Sequence, residues 1–134
     1  MIDPSHNTGA TILVLEPDVL VRTAISDFLR ECGYHVIEGI SAHDAWSVIQ
    51  SGQRLDVVFS EVQLSDNGSG FSLASELRQT HPEIDVILNS GIHSAAEKSS
   101  ELCEQGPIRK PYHPQEVVRR IQLLLGRRRT SKKT

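Results

Sequence analysis

Unbroken apolar runs of four or five residues alternate along this chain with longer stretches whose apolar positions recur every three or four residues. The first run, Thr11–Leu15, has strand length and β-branched residues; Glu16, Pro17 and Asp18 end it and open a helix. In that helix Val21, Ala24, Ile25, Phe28 and Leu29 fall on one buried stripe, and Gly33 stops it. A second strand is predicted over residues 35–38. Ser41, with Asp44 three residues on, starts a second helix as a variant capping box. Its inward face is Ala42, Ala45, Trp46 and Ile49, and Gly52 ends it.

The third strand is predicted over residues 56–60 and breaks into the polar loop Ser65-Asp66-Asn67-Gly68-Ser69-Gly70. A helix over residues 71–79 packs through Phe71, Ala74 and Leu77, and His81-Pro82 stops it, because proline disfavours helix in the residue before it. Residues 84–88 are the fourth strand. Residues 94–105 have helix-forming composition but few apolar positions, so a weakly docked helix is expected. A short fifth strand near residues 107–109 precedes a last helix over residues 114–126, which buries Val117, Val118, Ile121, Leu124 and Leu125. The pattern is (βα)5, and its continuous apolar strands suit a parallel sheet covered on both faces. Right-handed crossovers make that sheet doubly wound.

Composition narrows the class. The 134 residues suit one domain, and no apolar stretch approaches the ~20 residues of a membrane span. Residues 1–10 lack a basic region followed by an apolar one, so they read as a disordered lead and not a secretory signal; a cytoplasmic protein is expected. Cys32 and Cys103 lack redox or zinc spacing and read as reduced structural thiols. The six histidines show no ligand spacing, so no structural metal site is indicated.

Net charge is -3, but Arg127, Arg128, Arg129, Lys132 and Lys133 crowd the last eight residues. Without them 9 basic residues face 17 acidic ones, a body at -8 that does not suit nucleic acid. Residues 127–134 read as a solvated, disordered basic tail.

Ligands of open α/β sheets bind beyond the carboxyl ends of the strands, at a topological switch point. Here those ends carry Glu16 and Asp18 after strand 1, Glu61 at strand 3, Ser90 after strand 4 and Lys110 after strand 5. Acids, a hydroxyl and a lysine in such places suit a phosphate or a divalent cation.

At these ends the chain resembles the receiver domain of two-component response regulators. The resemblance covers residues 11–126. It is carried by Ile12-Leu13-Val14-Leu15-Glu16-Pro17-Asp18, Val57-Val58-Phe59-Ser60-Glu61-Val62-Gln63-Leu64, Ile87-Leu88-Asn89-Ser90-Gly91 and Ile108-Arg109-Lys110-Pro111-Tyr112. Each motif is weak alone; four in order at the right strand ends are specific. The resemblance implies a flavodoxin-like five-stranded sheet of order 2-1-3-4-5 and a role in phosphorelay signalling, not enzyme catalysis.

The resemblance also implies a role for each matching position. An acidic pair after strand 1 holds Mg²⁺ in the family; Glu16 fills the first place, but Pro17, without a carboxylate, fills the second. Asp18 serves better as a helix cap than as a ligand. With Glu16 and the Gln63 backbone carbonyl as the remaining ligands, Mg²⁺ binding is expected to be weakened or absent.

Glu61 stands at the phospho-acceptor position, with the charge of aspartate and roughly 1.5 Å more reach. Phosphoryl transfer depends on positioning and charge stabilisation, so a displaced nucleophile beside a depleted metal site should react poorly. The carboxylate either imitates an aspartyl phosphate by reaching Lys110 or Ser90, or forms an ion pair in a vestigial pocket. Lys110 matches the phosphate-contacting lysine, Pro111 the proline after it, and Ser90 the switch hydroxyl, whereas Pro107 replaces the usual aromatic switch residue.

Three readings compete. The first is a stand-alone, phosphorylation-independent receiver that acts through protein contacts. Its partners would be a histidine kinase, another signalling protein, or a second copy bound through the face of helix 4, strand 5 and helix 5. The second is a phospho-accepting receiver with weak Mg²⁺ binding. The third is a small nucleotide- or flavin-binding domain, suggested by Gly68-Ser69-Gly70, although the chain lacks GxxxxGK[ST] and GxGxxG.

Overall fold

The computed structural model of the protein describes residues 9–90, 108–109 and 112–133. Along the chain run β1 (Thr11–Leu15), α1 (Val19–Glu31), β2 (His35–Gly39), α2 (Ala42–Gln50), β3 (Val57–Glu61), α3 (Gly70–Thr80), β4 (Asp85–Ser90), β5 (Ile108–Arg109) and a last helix, α4 (Pro114–Lys133). The strands form one parallel sheet in the order β2-β1-β3-β4-β5, as the resemblance implied. The expected helix over residues 94–105 lies outside the described residues.

Side chains alternate between the two faces of each strand and build two cores. On one face Ile12, Val14, Val57, Phe59 and Ile87 pack under Ile25 and Leu29 of α1 and Val117, Val118 and Ile121 of α4. On the other, Leu13, Leu15 and Val58 meet Ala45 of α2 and Leu73 and Leu77 of α3. Phe59, Ile12, Leu13, Leu15 and Ile87 are fully buried, each stabilising the fold by about 1.5–3 kcal/mol relative to exposure. Strands covered on both faces read as unbroken apolar runs, which is why the sequence pattern located them.

Local chemistry fixes the turns. Gly33 and Gly52 follow α1 and α2 at φ of 97° and 87°, left-handed conformations that residues with a Cβ seldom adopt. Ser41 caps α2 by accepting from the Asp44 N–H. Asp44 Oδ2 accepts from the Ile40 N–H rather than from Ser41, so the capping box is closed one residue early.

Three expectations need correction. Ala24 is exposed and Ser26 is buried. The two flank the Ile25–Leu29 line at about 100° on either side of Ile25, and periodicity cannot say which flank the neighbouring elements cover. The fourth strand runs on to Ser90, bringing Asn89 and Ser90 inside the sheet.

The last helix does not stop at Gly126 but continues to Lys133, through the stretch read as a disordered tail. A glycine inside a helix costs about 1 kcal/mol relative to alanine, too little to break it by itself. Arginine and lysine are good helix formers, and their charge at a C-terminus complements the helix dipole.

Candidate functional site

The carboxyl ends of β1, β3 and β4 lie side by side, because the parallel register pairs Leu15 with Ser60 and Glu61 with Asn89. Glu16 follows β1 and is buried at 3% exposure. Its N–H donates to the Gly39 carbonyl at 3.0 Å, and its own carbonyl accepts from Arg22 Nη1 at 2.9 Å. The Arg22 guanidinium is itself held by Glu38, which also pairs with Arg30. The Glu16 carboxylate accepts from the Asp18 N–H at 3.0 Å.

Asp18 turns its carboxylate away to α1. Its Oδ1 accepts from the Leu20 and Val21 N–H groups at 2.9 and 3.2 Å. This is the N-cap expected of it, satisfying donors that the first helical turn leaves open. With Pro17 beside it, β1 ends with one carboxylate available to the pocket instead of two.

Glu61 is the half-buried last residue of β3. Alternation sets it on the face of Phe59, and Asn89 on the face of Ile87, so both crown the core under α1 and α4. Asn89 is fully buried, and neither amide atom has a hydrogen-bond partner among the described residues. Tyr112 closes the site from the start of α4. Its ring meets Phe59 edge-on, with centroids 5.6 Å apart and planes at 89°. Burial pushes the phenol pKa up, and the negative charges of Glu16 and Glu61 push it further. The hydroxyl is therefore a neutral donor at any physiological pH.

The loop after β3 is self-contained. Gly70 N–H donates to the Val62 carbonyl and Gly68 N–H to Asp66 Oδ1, while Ser69 Oγ caps Phe71 and Ser72. A Cβ at Gly70 would come within 2.7 Å of the Glu61 carbonyl, so glycine is required where α3 starts against β3. Gln63 is exposed and bridges Ser69. The Gly68 and Gly70 amides are thus used within the loop.

Of the positions singled out in the sequence, the structure brings Glu16 and Glu61 near enough to Tyr112 for both charges to act on its phenol, and pairs Ser90 at the end of β4 with Arg109 of β5. Lys110, Pro111 and Pro107 lie outside the described residues. Asp56 sits at the opposite end of the sheet, where its Oδ2 accepts from the Thr11 N–H at 2.8 Å.

Sequence reasoning missed Asn89 and Tyr112. The available clue for Asn89 was its spacing of two from Ile87, which makes it a polar residue on a buried face. As for Mg²⁺, Glu16 and Glu61 offer hard oxygens of the right kind, but no group of three or more acidic, His or Cys residues among the described residues could hold a metal ion.

Comparison with known proteins agrees with this geometry. The family model for the response regulator receiver domain matches residues 12–122. The DNA-binding transcriptional regulator NtrC of Rhizobium meliloti is 31% identical over 129 residues, covering 93% of this chain and 26% of that protein. Response regulator RR06 of Streptococcus pneumoniae is 32% identical over 119 residues, covering 87% of this chain and 53% of that protein. The chain thus spans about a quarter to a half of these relatives' lengths.

Among solved structures, a response regulator receiver domain protein from Clostridium thermocellum superposes with a TM-score of 0.78 at 22% identity, covering 90% of this chain and 98% of that one. No helix among the described residues is long and apolar enough to cross a membrane. The chain belongs to the response regulator receiver domain family.

Proposed function

We propose that this receiver domain signals through protein contacts without being phosphorylated at Glu61. The observation that carries the reading is the use of Asp18 as the cap of α1, beside Pro17. The pocket is left one carboxylate short of the family's metal-binding pair, and the acceptor is a glutamate, displaced from where aspartate would react. Both departures lower the same reaction, because phosphoryl transfer needs an in-line nucleophile and neutralised phosphate charge together.

In this reading Glu16 and the Gln63 carbonyl would hold Mg²⁺ weakly or not at all; a bound ion would neutralise negative charge beside Glu61. Glu61 supplies a standing negative charge toward Lys110 and Ser90, in place of a transferred phosphoryl group. Partners are a histidine kinase, another signalling protein or a second copy of the domain, in the cytoplasm. Leu20, 80% exposed on the first turn after Glu16, offers apolar surface at the rim of the pocket for such a contact.

Incubation with acetyl phosphate and Mg²⁺, followed by intact-mass measurement, tests the reading. No phosphoryl adduct is expected on the parent chain, and an adduct at Glu61 would overturn the proposal.

A further inference from the structure

The charges of this molecule separate into two poles. α4 starts beside the pocket, since the phenol of Tyr112, two residues before it, feels Glu16 and Glu61. It follows the last parallel strand and packs back along the sheet through Val117, Val118 and Ile121, so its far end lies away from the carboxyl edge. Its 20 helical residues span roughly 30 Å. Residues 127–133 at that end include Arg127, Arg128, Arg129, Lys132 and Lys133 and no apolar residue. A helical end without an apolar stripe gains nothing by packing on its own body. Like charges four residues apart, as at 128 and 132 or 129 and 133, oppose the helix as well. An anionic partner would relieve that repulsion.

The opposite pole is acidic. Glu16, Asp18, Asp44, Glu61 and Asp66 all lie at or just beyond the carboxyl ends of the strands. Backbone N–H groups bond Asp18, Asp44 and Asp66 without cancelling their charge. Arg22 is paired with Glu38, and only Arg109 and Lys110, at the end of β5, set basic charge against the five acids. Beneath them Asn89 is fully buried opposite Glu61, and neither of its amide atoms has a hydrogen-bond partner among the described residues. Buried polar atoms are almost always satisfied, so this amide points to a polar ligand that the domain itself does not supply.

We propose that the basic end of α4 of one copy docks on the acidic carboxyl-end face of a second copy, with its arginines and lysines as counter-ions to Glu61 and Glu16. The inference rests on the proposed function and names its partner: the standing charge at Glu61 is read by a cationic helix. Arginine suits the task, because its planar fork donates two parallel bonds to a carboxylate. The two surfaces lie at opposite poles, so the contact is heterologous and adds copies head to tail instead of closing a two-fold dimer. A body at -8 repels polyanions, and residues 127–133 lack the apolar face that a membrane-surface helix buries. A protein partner is therefore favoured over nucleic acid or lipid.

Sedimentation velocity of the full chain, without any phosphoryl donor, tests the proposal. Association at low salt is expected, growing with protein concentration and reversed by added salt. A tail variant, Arg127→Gln/Arg128→Gln/Arg129→Gln, keeps good helix formers, and a pocket variant, Glu16→Gln/Glu61→Gln, keeps side-chain shape. Each alone should associate about tenfold more weakly or worse, the worth of one close charge pair. Mixed in equal amounts, the two should form pairs and stop there, because one intact tail then meets one intact pocket. A parent that stays monomeric at low salt, association indifferent to the tail variant, or a mixture that forms no pairs would overturn the proposal. Binding of the parent to phosphatidylserine vesicles or duplex DNA without self-association would overturn it too. Phosphorylation does not enter this experiment, so a phosphoryl adduct on Glu61 would sink the proposed function separately.

Discussion

Asp56 and Glu61, near the two ends of β3, sit in different surroundings. At the amino end, Asp56 is buried at 3% exposure and fully committed to structure: it accepts from the Thr11 N–H at 2.8 Å and pairs with Arg54 at 3.3 Å. Backbone bonds between Asp56 and Thr11, and between Asp85 and Asp56, tie the starts of β1, β3 and β4 around it. At the carboxyl end, Glu16 and Glu61 lie near a buried phenol and a buried amide that no described residue satisfies. An acid that holds a fold together is surrounded by donors from the backbone. A collection of charges and orphaned polar atoms lowers stability, and it persists where a site needs it.

The contrast can be broken by mutation. The largest loss is expected from Asp56→Ala, which strands the buried Thr11 N–H and removes a paired charge; it should lower unfolding free energy by about 1–3 kcal/mol, read from the midpoint of urea denaturation. An equal loss from Glu61→Gln would erase the distinction between the two ends.

Asp18→Ala should cost about 1 kcal/mol, the usual price of an N-cap. It should leave the response of the protein to added Mg²⁺ unchanged, whereas Glu16→Gln should abolish whatever response exists. Were Asp18 a metal ligand instead of a cap, the two variants would weaken that response alike.

The smallest effect concerns Asp66, an exposed loop acid that reaches across to the start of α2. Slight desolvation pushes its pKa up, and the N–H groups of His43, Gly68 and Ala42 outweigh this, holding the carboxyl below its usual value. A lowered folded pKa means that this anchorage is complete above the unfolded value of about 3.9. It is lost as pH falls through the lower, folded value. The His43 and Gly68 amide resonances should therefore keep their positions through the mildly acidic range and move only in stronger acid. Movement centred above the ordinary carboxylate range would contradict the assignment.

Much of this molecule was legible in its sequence, for a physical reason that also marks where legibility ends. Strands buried on both faces must be continuously apolar, so Thr11–Leu15 and Val57–Glu61 announced themselves, and the acids that break them marked the pocket. Asp18 was readable as a cap because a short acid before a helix has a local partner. Asn89 and Tyr112 were not readable as pocket residues, since their importance lies in contacts made across the sheet: one opposite Glu61, the other against Phe59. The end of α4 was missed for a different reason. A single glycine followed by basic residues is ambiguous between a stop and a continued helix, and nothing in the local chemistry of residues 127–133 forbids the latter.

The central claim is that the pocket has kept its shape and lost its reaction. Intact-mass measurement after acetyl phosphate and Mg²⁺ treatment tests it most directly, comparing the parent with a Pro17→Asp/Glu61→Asp double variant. The account predicts a phosphoryl adduct on the double variant and none on the parent. An adduct on the parent chain at Glu61 would contradict it.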